Sequence, residues 1–152
     1  MNHTIVVVLA LISASALGDG TDADRKRLDD ARIAWDASGV VAYSYTLKSS
    51  DPFGHTIYRI VVDEKMCHAN SRVTFGTTTA RWTPVSCEGH TIPELLTELR
   101  RRLNMPHTTV DLSLDSNVGY PHKFTTDTTE LTDSEWTGEI SAFKIIRRRA
   151  PN

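Results

Sequence analysis

The sequence predicts an α+β domain, an antiparallel sheet with two amphipathic helices packed on one face, in the order helix, strands, helix, strands. Three observations carry that expectation. Leu28, Ala31 and Trp35 recur at helical spacing early in the chain, and Ile92, Leu95, Leu96, Leu99 and Leu103 do so in its middle. The segments after each of these runs alternate apolar with polar side chains and are separated by turn residues. With 152 residues, 39% hydrophobic and 24% charged, the chain is ordinary for one globular unit with its own core.

The first element is one of export. Ile5 to Ile12 form an uncharged apolar run followed by the small residues Ser13-Ala14-Ser15-Ala16, so residues 1–18 are expected to be a cleaved signal peptide and 19–152 a single secreted domain. Met1 to Thr4 carry no Lys or Arg, a departure from the usual charged start. The apolar run falls well short of the ~20 residues a spanning helix needs, so no membrane span is expected. Asn2-His3-Thr4 matches a glycosylation sequon, but it would leave with the leader.

Next, Asp22 and Asp24 suit a helix N-terminus, and the helix should run to Gly39. Val41 to Leu47 alternate as a strand buried on one face, closed by the turn Asp51-Pro52-Phe53-Gly54. Ile57 to Val62 and Arg72 to Phe75 read as two further strands, with a turn at Gly76 leading into Thr77 to Trp82. Thr91-Ile92-Pro93-Glu94 is a capping box with Pro in the first turn, and Asn104 with Pro106 ends the helix it starts. Strands are expected at Val110 to Leu114, at Lys123 to Thr126 and from about Trp136 to Ile146, before Arg147-Arg148-Arg149.

Cys67 and Cys87 are the only cysteines, and in an oxidising compartment they are expected to pair. Closing a loop of that size stabilises a fold by about 3 kcal/mol on the chain-entropy model. A net charge of -2 gives no drive toward nucleic acid, and no nucleic-acid partner is expected. The chain lacks a nucleophile elbow, a phosphate-cradling loop and a zinc-protease motif, so no catalytic residue, cofactor or metal is assigned. Asp111, Ser113, Asp115 and Asn117 place oxygens as a calcium loop begins, but Ser116 and His122 stand where that loop needs Gly and Glu; the polar side of a strand is expected instead. His68 and His90 lie near the cysteines and would share a site only if the disulfide joined them. Arg100 to Arg102 and Arg147 to Arg149 read as solvated faces, unless they meet in space around an anion. Gly119-Tyr120-Pro121 reads as a fold-defining turn, since Gly admits a left-handed backbone and Pro fixes φ. Tyr120, His122 and Asp127 are the first candidates for a ligand site.

Trp35, the strand Tyr43-Ser44-Tyr45-Thr46, Asp115, Gly119-Tyr120-Pro121, Phe124, Asp127, Asp133, Glu135, Ile140 and Phe143 together resemble a family of small secreted proteins and lipoproteins, DUF6174-like, known as a domain of unknown function. The likeness runs from about Ala34 to Phe143 and implies an exported α+β domain without implying a reaction. Members often carry a lipid-anchoring cysteine, absent here, and Leu114 stands where they tend to have Tyr. The function expected is a non-enzymatic extracytoplasmic module that binds an unidentified protein or small molecule. Two alternatives stand beside it, a small secreted hydrolase using His122, Asp115 and Asp127, and a structural envelope or matrix component.

Overall fold

The computed structural model describes residues 19–52, 54–129 and 134–150; the expected signal segment and its sequon lie outside them. The first helix, α1 (Asp19–Ala37), turns Leu28, Ala31 and Trp35 inward. Its outer side is laced by pairs one turn apart, Asp22–Arg25, Asp24–Arg27, Lys26–Asp30 and Arg32–Asp36. Exposed pairs of this kind add only a few tenths of a kcal/mol each, so burial of the three apolar side chains holds the helix in place.

A meander follows, β1 (Val40–Asp51), β2 (Gly54–Asp63) and β3 (Met66–Phe75), with two short pieces, β4 (Thr78–Thr79) and β5 (Thr83–Val85), both pairing with β3. After α2 (Ile92–Leu103) come β6 (Thr108–Leu114), β7 (Pro121–Thr128) and β8 (Trp136–Arg148). The strands form one antiparallel sheet in the order β4-β3-β2-β1-β8-β7-β6, with β5 on β3 beside β4. Helix, strands, helix, strands is the order expected, and the architecture is α+β. Several strands run longer than the sequence reading has them, β1 to Asp51 against Leu47, β2 from Gly54 against Ile57 and β7 over Pro121–Thr128 against Lys123–Thr126, and the difference is greatest around β3. β3 begins at Met66 instead of Arg72, because its inward residues there are small (Ala69, Ser71) and leave no bulky alternation to read; Thr77 to Trp82 contains only a two-residue strand.

Register sets the core. Tyr43, Val62 and Cys67 stand in one row across β1, β2 and β3, and Tyr45, Ile60 and Ala69 in the next, all on the side the helices cover. α2 lays Ile92, Leu95, Leu96, Leu99 and Leu103 onto that face. Each such residue, fully buried, stabilises by roughly 1.5–3 kcal/mol. In the centre, β1 pairs with β8 along most of its length, with a register shift between Ser44 and Thr46. Opposite that shift Ala142 has φ 52, a bulge that bends β8 and turns Phe143 toward the core. Gly138 leaves room that the Phe124 ring fills from β7. On the outer face, Trp82 is held between the guanidinium groups of Arg59 and Arg72, 4.3 and 4.9 Å from its ring centre.

Cys67 and Cys87 form a disulfide, sulfurs 2.05 Å apart, as expected. It ties the segment entering α2 to the row headed by Tyr43. Glu94 accepts hydrogen bonds from the Thr91 backbone N–H (3.0 Å) and hydroxyl (2.7 Å), so the capping box forms where the sequence places it.

Candidate functional site

At the end of the sheet where β1 begins, five segments surround one cleft of about 780 Å³. Trp35 comes from the last turn of α1, Val40 and Tyr43 from the start of β1, Val62 from the end of β2, and Glu64 and Lys65 from the β2–β3 turn. Thr91 and Pro93 come from the start of α2, and Arg147, Arg148 and Arg149 from the end of β8. That volume lies within the roughly 300–1,000 Å³ of small-molecule sites, and an apolar floor is also theirs, although five of the lining side chains here are charged.

The floor is rigid and aromatic. Trp35 meets Tyr43 edge to face with ring centres 5.0 Å apart, and Tyr43 stacks beside Tyr45 at 6.1 Å. The Tyr43 hydroxyl accepts a hydrogen bond from the Ile92 N–H at 3.3 Å. Burial pushes its pKa up to about 12; that hydrogen bond works the other way and the nearby Glu94 charge adds to the rise. Tyr45 is pushed up further, by burial and then by Tyr43 and Glu94, and its hydroxyl has no hydrogen-bond partner among the described residues. Neither phenol ionises in the neutral range.

The rim is cationic, and its charges differ in how they are used. Arg147 pairs with Asp63 and with Glu64 (3.1 Å), while the Arg148 guanidinium donates to the Ser38 carbonyl. Arg149 is joined to Gly39 only through its backbone N–H, at 2.6 Å, and its side chain makes no ion pair among the described residues; the same holds for Lys65.

The residues singled out in the sequence divide between other places. Tyr120 is 8% exposed and stacks on Phe143 with ring centres 4.0 Å apart; Phe143 in turn faces Trp35 and Tyr43, so Tyr120 belongs to the ring cluster beneath the cleft without lining it. Burial pushes the Tyr120 phenol up, with Asp115 adding to the rise. His122 lies 4.6 Å from the Tyr120 ring, and its Nε2 is 3.7 Å from the Asp115 carboxylate. Asp115 closes its own turn, accepting from the N–H groups of Asn117 (2.9 Å) and Val118 (2.7 Å). Asp127 stands five positions beyond His122 on β7, roughly 17 Å along an extended chain. It lines a second cavity of about 400 Å³ with Ser50, Ser134, Glu135 and Thr137. Tyr120 and His122 thus come together and Asp127 does not.

His68 is exposed on β3, one position from the inward Cys67, while His90 stacks on Tyr58 at 4.2 Å on the covered side; the disulfide leaves them on opposite faces. Burial lowers the His90 pKa, opposed by a backbone hydrogen bond at Glu88 and by the Glu94 charge. The arginine triplets sit near opposite ends of α2. Arg100 pairs with Asp29, and Arg101 and Arg102 with Glu98, whose carboxyl is pulled down chiefly by Arg101. Arg102 also covers the Trp136 ring at 4.6 Å.

The cleft escaped the sequence reading because no local motif marks it. Its one visible trace was the Arg147 to Arg149 run, which reads as solvated until the end of β8 is placed beside Val40. Neither a curated protein nor a solved structure matches the chain. A family model described as a family of unknown function, DUF6174, matches residues 27–145, from α1 through the bulge of β8 and short of the arginine rim. The chain therefore belongs to the DUF6174 family.

Proposed function

We propose that this protein is a non-enzymatic extracytoplasmic binding module that holds a small molecule in the cleft between Trp35, Tyr43, Val62 and Arg149. The observation that carries the reading is the cleft itself, about 780 Å³ over a floor locked by stacked rings and a disulfide-tied helix start. A preformed site of that kind binds at low ordering cost. The export half of the reading draws support from the leader-like run in residues 1–18 and from the disulfide, which is compatible with an oxidising compartment. Against the hydrolase alternative stands the separation of Asp127 from His122 and Asp115, which leaves no three-group constellation from those residues.

Native mass spectrometry of the protein isolated from the culture fluid tests both halves. The expected result is a chain lacking the leader and carrying a non-covalent adduct that Val40→Trp, at the rim of the cleft, removes. A cell-retained chain with its leader intact would sink the export half. Hydrolytic turnover abolished by His122→Ala would sink the binding half.

A further inference from the structure

Resting on the cleft as the binding site, we infer that its ligand is a single-chain amphiphile with one anionic head group, the chain over Trp35, Tyr43 and Val62 and the head at Arg149 and Lys65. Four cations line the cleft, but two are spoken for, Arg147 by Asp63 and Glu64 and Arg148 by the Ser38 carbonyl. Arg149 and Lys65 have neither an ion pair nor a side-chain hydrogen bond among the described residues, and both border an apolar floor. A neutral ligand would leave that pair uncompensated, and a cationic one would meet repulsion. The start of α2 does not compete for the anion, because Glu94 already occupies its capping position and brings a negative charge there. The head group is thereby directed to the β8 side of the cleft. Asp63 and Glu64 set a limit of charge as well, since their two negative charges against the four cations leave the cleft an excess of about two positive charges, enough for one singly or doubly charged head group rather than a polyanion.

The test is calorimetric titration of the disulfide-intact protein with decanoate and with methyl decanoate, both below the concentration at which they self-associate. The two share a chain and differ in charge. Decanoate should bind at least about tenfold more tightly, the worth of roughly 1.4 kcal/mol of head-group interaction. Lys65→Gln combined with Arg149→Gln should bring the two ligands level, and Val62→Trp, which fills the floor, should abolish both. Val40→Trp takes its place should Val62→Trp fail to fold. Decyl phosphate in place of decanoate tells a phosphate from a carboxylate head, and either preference over the ester supports the inference. Equal binding of acid and ester by the unaltered protein overturns the anionic head while leaving the cleft as the site. Absence of binding by either, or decanoate binding that survives the floor-filling variants, overturns the inference and the cleft reading together.

Discussion

Gly119 lies so close beneath the main-chain carbonyl of Ala31 that a Cβ at residue 119 would overlap it. The turn before β7 and the middle of α1 therefore meet backbone to backbone, and residue 119 also has φ +79. Gly119→Ala should destabilise the fold by about 3 kcal/mol, combining a left-handed backbone cost of roughly 1–2 kcal/mol with the strain of overpacking. Gly76 has φ +57 and nothing within 4 Å of the same position, so Gly76→Ala isolates the backbone cost. Urea unfolding of the two variants should differ by at least about 1 kcal/mol; equal losses would show that helix and turn give way freely.

Removing the disulfide as Cys67→Ser with Cys87→Ser should lower stability by about 3 kcal/mol, given the 20-residue separation. Mass measurement before and after reduction supplies the covalent check: the isolated protein should gain two hydrogens. Because the bridge fixes the approach to α2, the double variant should also lose the Tyr58–His90 stacking, which NMR ring-current shifts of His90 would report.

Tyr43 and Tyr45 are neighbours with opposite predictions. Tyr43→Phe removes an acceptor from the buried Ile92 N–H and should cost about 1–2 kcal/mol. Tyr45→Phe removes a buried hydroxyl that has no partner among the described residues and should be neutral or stabilising by up to about 1 kcal/mol at pH 7. Both folded-state values lie above the unfolded one, so the native chain keeps protons that the unfolded chain releases. Stability is full below pH 10 and falls as pH rises toward 12, by up to about 2–3 kcal/mol from Tyr43. Unfolding free energies between pH 9 and 12 should show a shallower fall in Tyr43→Phe than in the unaltered protein.

Ala142 holds a left-handed conformation that glycine adopts without cost. Ala142→Gly should stabilise the protein by about 0.5–1 kcal/mol, the left-handed relief outweighing the entropy lost at a glycine. A loss of stability would mean that the alanine methyl group packs to good effect at the bulge.

How far the sequence reaches depends on whether the information is local. α2 is legible because its cap, its Pro and its five inward apolar residues lie within 13 positions, Thr91 to Leu103, and each speaks for the same helix. The pairing of Cys67 with Cys87 needs only a count and a compartment. β3 hides because Ala69 and Ser71 pack by being small against Ile60 and Tyr58, which no alternation of hydrophobicity displays. The cleft hides for a stronger reason: Trp35 and Arg149 meet only after β8 has inserted beside β1, a matter of strand order that periodicity does not encode. Asp127 follows His122 by only five positions, yet an extended strand carries it to a different cavity.

The place of β8 between β1 and β7 has a consequence for how the molecule comes into being. Residues 40–51 wait for residues 136–148 before the middle of the sheet exists, and the halves on either side have until then an open edge each. A chain still emerging from the ribosome therefore remains unfinished whatever its first hundred residues have done. Closure of the sheet and assembly of the arginine rim wait on the same segment, so the cleft is complete only when the sheet is.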